Sequence, residues 1–440
     1  MCVVRPIAAT WVVLDIEGTV SSTATVQRTL FAYARARIRA FLVRQQAEDE
    51  VAALIEEVRG AAQLPATASA AEVAGVLEEW IDEDRKESAL KTLQGLLWRD
   101  GFRSGELVGA LFPDVAPPVR RWMSQGIRVA IFSSGSVQAQ RDWFAHGPHA
   151  DLSPAIDAYF DTVNAGPKRE VTSYRRIARA LGASAHELVF LSDVPAELAA
   201  AADAGWSTVG VARPGEPYAD ADFGSHRVIT TFDELSLTPT CLAVAGDELA
   251  KTTVQLAQLG FMPATAGNVS VVVERSPLRL LVTASGIDKS AMQWWDAVVV
   301  DDVGAPITPL RTGIRPSAEA ALHAHVAMAM NAGAVVHTHA LSSVRAARRF
   351  PTGIRMPAVE LLKALGHPAD EECLLPVIEN SQDMAVLAAR WDDIRASTGT
   401  TVPAFVVADH GLYAWGTTLE DARHAAEAVD WVLRLALDTD

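Results

Sequence analysis

The sequence predicts an α/β protein of two domains, the first built on an open, mainly parallel sheet with helices on both faces. Three observations carry this expectation. At 440 residues the chain is too long for one ordinary domain of about 100–150 residues. Short apolar runs alternate with helical patterns, as strands joined by helical crossovers do. Several of those runs end in clusters of polar and small residues, where open α/β sheets hold their ligands.

The elements follow in order. Trp11 to Leu14 is a short apolar run broken by Asp15-Ile16-Glu17-Gly18 and reads as the first strand. From about Gln27 to Gly109 the signals are mostly helical, with apolar periodicity over Arg28 to Leu42 and Glu72 to Ile81. Strands return at Val129 to Phe132, Leu188 to Leu191 and Thr208 to Val211. The pattern is interrupted between Phe232 and Ala243, so domains of 1–236 and 237–440 are expected, with a helical cap over about 21–110. The second half opens on a helix over Glu248 to Leu259. Strands are expected at Val269 to Val273, Leu280 to Val282 and Val298 to Val300. A helix from Ala318 to Asn331 leads into a strand at Ala334 to His337. A further apolar run covers Ala404 to Ala408, and Leu419 to Leu437 closes the chain as a helix.

Composition narrows the function. Half of the residues are hydrophobic and 21% are charged, which supplies two cores and argues against long disordered regions. A formal net charge of -16 opposes general nucleic-acid binding, which needs a basic face. Anionic metabolites can bind only where metals or local cations overcome that background. Cys2, Cys241 and Cys373 are scattered, as suits a reducing compartment, and no apolar stretch is long enough to span a bilayer. The expectation is a soluble, cytoplasmic protein with small-molecule substrates.

The first chemical constellation lies at strand ends. Asp15, directly after an apolar strand, can attack phosphorus if a cation neutralises the phosphate, and Glu17 can exchange protons with the reacting oxygens. Ser133 and Ser134 offer hydroxyl and main-chain donors to phosphate. Lys168 adds positive charge, and Asp193 adds a hard oxygen ligand suited to magnesium. The order Asp15, Ser133, Lys168, Asp193 resembles the four motifs of the haloacid dehalogenase superfamily. A closer resemblance is to its enolase-phosphatase branch of methionine salvage. It rests on Asp-Ile-Glu-Gly-Thr at 15–19, Lys-Thr-Leu-Gln-Gly at 91–95 and Ser-Ser-Gly-Ser-Val-Gln-Ala-Gln at 133–140. Gly-Pro-Lys-Arg-Glu at 166–170 with Ser173 and Tyr174, and Leu-Ser-Asp-Val at 191–194 with Glu197, complete it. The resemblance implies Asp15 as nucleophile and metal ligand, Glu17 and Asp193 as the rest of a magnesium site, and Ser133, Ser134 and Lys168 as substrate contacts. The helical insertion would be a cap.

The second constellation begins with His337-Thr338-His339. Alternate strand residues share a face, so both imidazoles can reach one metal. His410, after another apolar run, can complete a three-histidine site with open positions, suited to zinc or a similar divalent ion. Glu360 lies in Val-Glu-Leu-Leu-Lys, an apolar context that would raise its pKa towards that of a useful acid/base. The segments Thr265 to Ser270 and Thr283 to Gly286 are small-residue turns able to present N–H groups to phosphate. Ser317 is expected to cap the helix leading to the histidine strand. His323, His325, His367 and His424 read as structural or solvated, and Trp294-Trp295 as packing.

Thr-Ala-Gly-Asn-Val-Ser (265–270), Thr-Ala-Ser-Gly-Ile-Asp-Lys (283–289), Arg-Pro-Ser-Ala-Glu (315–319), Val-Val-His-Thr-His (335–339) and His-Gly-Leu-Tyr-Ala-Trp-Gly (410–416) resemble the class II aldolase family. The match is closer to its methylthioribulose-1-phosphate dehydratase branch, from which Ala358-Val359 before Glu360 departs. This implies an α/β/α sheet, zinc on His337, His339 and His410, and Glu360 as acid/base. It also implies substrate contacts through Asn268, Ser285, Gly286, Ser317 and Glu319, and a homo-oligomer built through the C-terminal domain. The two resemblances name consecutive reactions. An aldolase fused to a general phosphatase, a non-catalytic C-terminal assembly module, and a phosphatase domain that binds phosphate only as a regulator remain open on the residues alone.

Overall fold

A computed structural model describes residues 5–83, 85 and 87–438. Cys2 lies outside them; Cys241 is exposed and Cys373 buried, both as free thiols. The chain forms two compact units, one spanning Ile7–Pro239 and the other Thr240–Asp440 with the first residues of the chain.

In the first unit six parallel strands form one sheet. Their order is Ile156–Phe160, Arg128–Phe132, Trp11–Leu14, Leu188–Ser192, Ser207–Val211, Arg227–Ile229. The central strands are continuous apolar runs because helices cover both of their faces. Every residue of Trp11–Leu14 and Leu188–Ser192 is buried. Register then places the chemistry. Leu14 pairs with Ile131 on one side and Leu191 on the other, so Asp15, Ser133 and Asp193 leave the sheet at the same edge. The chain departs in opposite directions from Trp11–Leu14, which makes this edge the switch point of the sheet.

The helical insertion contains Ala32–Gln45, Asp49–Ala61, Ala70–Asp82 and Ser88–Ser104. Their buried residues recur at three- and four-residue spacing, for example Val51, Leu54, Ile55 and Val58. Ser69 and Glu72 close a capping box at the start of Ala70–Asp82: the Ser69 hydroxyl accepts the Glu72 N–H and the Glu72 carboxylate accepts that of Ser69 at 2.7 Å.

The second unit is an α/β/α sandwich on an eight-stranded sheet. Strand order is Pro306–Pro309, Ala297–Val300, Leu278–Thr283, Asn268–Arg275, Ala334–Thr338, Gly411–Gly416, Ala404–Val407, Val377–Ile378. All neighbours are antiparallel except the last pair. Alternation along the strands divides the side chains between two cores. Val269, Leu281, Val336 and Leu412 pack with the helices Thr240–Gln258 and Leu419–Asp438. Leu280, Val335, Phe405 and Tyr413 pack with Ala320–Ala329 and Met384–Thr398.

Ser317 does not cap the helix as expected. The helix starts at Ala320 with Glu319 as its N-cap. The Ser317 N–H is tied to the Thr283 carbonyl and Pro316 bridges Ala284, so the chain is still held beside the sheet at this point. The Ser317 hydroxyl accepts the Glu319 N–H at 3.3 Å within the lead-in turn.

Two candidate metal centres

The first centre is acidic and buried. Asp15 is 4% exposed and its Oδ1 accepts the Ile16 N–H at 2.8 Å. Lys168 Nζ lies 2.6 Å from that oxygen and 2.7 Å from Glu197 Oε2. Ser192 Oγ stands 3.3 Å from Asp15 Oδ2 and 3.0 Å from Glu197 Oε2. Burial alone would lower the Lys168 pKa; the charges of Asp15 and Glu197 outweigh it and hold the ammonium above its ordinary range. Glu197, which the sequence offers only as part of a motif, is the second carboxylate on Lys168. The available signal was its spacing, one helical turn beyond Asp193.

Asp193 fits a cation site. Its Oδ1 is buried and finds no hydrogen-bond partner among the described residues. Burial first, then the neighbouring Asp15 charge, push its pKa up to about 8. Two crowded carboxylates of this kind are stabilised by a divalent ion with hard oxygen preference. Gly18, at φ +69°, lets the main chain approach the Asp193 carboxylate so closely that a Cβ there would collide with it. A cavity of about 1010 Å³ reaches this edge, lined by Glu17, Ser133 and Ser134 and, from the helical insertion, by Lys91, Gln94, Phe31, Trp80 and Trp98. It can admit an anion whose other end is apolar.

The second centre gathers three imidazoles. His337, at the end of its strand, pairs across the sheet with Asn268 and Tyr413. One ligand atom from each of His337, His339 and His410 lies within 4.8 Å of the others. His337 Nδ1 is 3.1 Å from the Leu412 carbonyl, which assigns the proton to Nδ1 and leaves the Nε2 lone pair facing His339 Nε2 at 2.9 Å. Burial lowers the His337 pKa to about 3 and also lowers that of His339, so both are neutral and able to ligate. These donors fit a divalent metal.

Glu319 joins this centre. It is 3.1 Å from His410 Nε2 and 3.5 Å from His337 Nε2, and the Asn268 side-chain amide donates to it. Burial would raise its pKa, but His337, His410 and Asn268 together hold the carboxyl well below the usual range. Tyr413 carries no sequence signal beyond its place in the 410–416 motif. Its ring stacks on His337 with centroids 4.1 Å apart, and burial followed by the Glu319 charge keeps its hydroxyl protonated. Asn268 and Ser317 each contact Glu319, through the Asn268 amide and the Ser317 hydroxyl, and the Ser285 N–H donates to the Arg315 carbonyl. Gly286 turns the same loop at φ +73°.

Glu360 does not have the apolar enclosure its neighbours promised. The turn Glu360–Leu365 buries Leu362 and Leu365 instead. Its own carboxylate is 81% exposed and paired with Lys363 at 2.8 Å. One helical turn alternates its faces too quickly for apolar neighbours in sequence to surround the first residue.

Among the described residues no helix is long and apolar enough to cross a membrane. Residues 10–205 match the model of the haloacid dehalogenase-like hydrolases, and residues 247–437 match that of the class II aldolase and adducin N-terminal domain. Over 232 residues the chain is 53% identical to enolase-phosphatase E1 of Saccharopolyspora erythraea, covering 52% of this chain and 97% of that one. Among solved structures, the Unknown transcript 4 protein of Saccharomyces cerevisiae is 34% identical with a TM-score of 0.44, over 52% of this chain and 100% of that one. An L-fuculose-1-phosphate aldolase of Thermus thermophilus is 21% identical with a TM-score of 0.36, over 44% of this chain and 95% of that one. Through its N-terminal half the chain belongs to the enolase-phosphatase E1 family of haloacid dehalogenase-like hydrolases, and its C-terminal half is a class II aldolase-type domain.

Proposed function

We propose that the chain is a bifunctional methionine-salvage enzyme. Its C-terminal unit dehydrates 5-methylthioribulose 1-phosphate to 2,3-diketo-5-methylthiopentyl 1-phosphate. Its N-terminal unit enolises and dephosphorylates that product to 1,2-dihydroxy-3-keto-5-methylthiopentene. One observation carries the reading: a chain whose N-terminal half matches enolase-phosphatase E1 also holds, in its class II aldolase-type half, a three-histidine centre that fits a divalent metal.

In the N-terminal unit Asp15 attacks the phosphorus of the enolised substrate, the bond from phosphorus to the substrate oxygen breaks, and Glu17 gives that leaving oxygen its proton, which it regains from the water of the next step. Lys168, kept charged by Asp15 and Glu197, and the donors of Ser133 and Ser134 hold the phosphate oxygens. Water then cleaves the aspartyl phosphate and restores Asp15. A magnesium ion on Asp15, Glu17 and Asp193 would offset the charge brought together there.

In the C-terminal unit, zinc on His337, His339 and His410 would polarise the substrate carbonyl. Glu360 is the assigned acid/base, removing the proton beside that carbonyl before water leaves from the next carbon. The contacts of Glu319 with His337 and His410 favour a second reading in which Glu319 moves this proton. Asn268, Ser285, Gly286 and Ser317 would hold the phosphate. A phosphorus NMR time course on 5-methylthioribulose 1-phosphate tests the whole scheme. Without magnesium a phosphorylated diketone should accumulate, and adding magnesium should release inorganic phosphate; an unchanged substrate signal in both conditions would rule it out. Comparing Glu360→Gln with Glu319→Gln in the first phase decides the proton carrier.

A further inference from the structure

The aldolase-type unit buries a cation that the scheme above does not use. Lys289 is 1% exposed although Asp288 and Ser290 beside it are polar. Its Nζ donates to three main-chain carbonyls, Ile287 at 3.1 Å, Thr265 at 3.3 Å and Ala284 at 3.5 Å. None of these partners is a carboxylate. Burial pulls its pKa below the ordinary lysine range, with Asp288 and Asp296 pulling the other way.

The three carbonyls belong to two different loops. Thr265 lies in the segment that turns through Gly267 (φ +77°) into Asn268–Arg275. Ala284 and Ile287 flank Ser285 and Gly286, directly after Leu278–Thr283. These are the loops that carry Asn268, Ser285 and Gly286. Taking an ammonium out of water into hydrogen bonds with neutral carbonyls alone is costly, and a methionine would fill the same space without that cost. Tying two loops together requires only a hydrogen-bond donor. A charge at that place adds a positive potential of low screening, in a chain whose formal net charge is -16.

We propose that Lys289 is a positioning residue for the phosphate of the substrate: it locks the two loops to each other and leaves between them a positive charge, hydrogen-bonded only to neutral carbonyls, that favours a phosphate dianion. This rests on the reading of these loops as the phosphate site.

The test is hydrogen exchange read by mass spectrometry on the full chain, titrated with inorganic phosphate. Peptides covering 264–270 and 283–289 report the loops separately from the acidic centre. In the unaltered protein phosphate should slow exchange in both. Lys289→Met should need at least tenfold more phosphate for half the effect, with its metal content unchanged, and Lys289→Arg should stay within threefold. Lys289→Gln, whose amide still donates to the carbonyls, serves as the neutral variant if the methionine does not fold. A neutral variant that responds at the original phosphate concentration, or an arginine variant that loses as much as the neutral one, overturns the role of the charge. Absence of any phosphate response in the unaltered protein overturns the phosphate site and this proposal with it. If the loops respond as expected but 5-methylthioribulose 1-phosphate is not dehydrated, the assigned reaction fails and the Lys289 assignment stands.

Discussion

Gly18 and His323 show how single residues set limits on the two centres. At Gly18 a left-handed φ and the close Asp193 carboxylate coincide, so alanine must displace either the loop after Asp15 or Asp193 itself. A misplacement of about 1 Å in a reacting group costs on the order of 100-fold in rate. Gly18→Ala should therefore lower phosphate release by at least that factor, while the proposed dehydration, assayed on the same preparation, is unaltered. His323 acts through pH. It is fully buried, its Nδ1 lies 2.8 Å from Ser270 Oγ, and burial lowers its pKa to about 4. Because the folded value lies below the unfolded value of about 6.5, its contribution is complete above pH 6.5. It is lost as pH falls through about 4. The loss approaches about 3 kcal/mol when the shift is converted at 1.36 kcal/mol per unit. Urea unfolding of metal-free protein from pH 7 to 4 should show His323→Gln less acid-sensitive than the parent. Parallel curves would sink the assignment.

Among the elements, the insertion between the first two core strands is held at its roots by Arg213. Its Nε donates to the Thr19 carbonyl at 2.7 Å and its Nη1 to Asp114 at 2.9 Å, while Asp114 accepts the Phe232 N–H at 2.8 Å. Thr19 precedes the helical insertion and Asp114 follows it, so one guanidinium secures both crossings. It is also 4.1 Å from the centre of the Phe112 ring. Removing one member of a buried ion pair costs about 3–5 kcal/mol. Arg213→Met should lower the stability of this unit by that order in urea titration, and should raise KM for the proposed phosphorylated diketone more than it lowers kcat. Nothing in the sequence marks Arg213, because its partners lie 99 and 194 residues away. The central strands were legible for the opposite reason: Trp11–Leu14 and Leu188–Ser192 are buried on both faces, so local composition alone reveals them. The edge strands Ile156–Phe160 and Pro306–Pro309 carry exposed positions and break the apolar run. The histidine cluster was readable from strand periodicity and one later His-Gly. Lys289 is legible only as the end of the 283–289 motif, and Glu360 reads as enclosed, because burial of both is decided by long-range packing that local composition does not contain.

For the molecule as a whole, the expectation is that each candidate metal centre responds to its own ligand. Each unit carries cores of its own: Val12, Ile131 and Leu191 belong to one unit, and Val269, Val336 and Leu412 to the other. Each also keeps its candidate ligands within itself, Asp15, Glu17 and Asp193 in Ile7–Pro239, and His337, His339 and His410 in Thr240–Asp440. A ligand stabilises only the unit whose native state binds it. At a hundredfold excess over Kd the gain is about 2.7 kcal/mol. For a unit of 150–250 residues that corresponds to a rise of roughly 5–10 °C in Tm. Scanning calorimetry should therefore resolve two transitions. Magnesium with inorganic phosphate should raise one of them, and Asp193→Asn should abolish that shift without moving the other. A zinc chelator should lower the second transition alone, and His337→Ala should reproduce its effect. One transition that responds equally to both treatments would contradict that expectation: the two centres would then share a single cooperative unit.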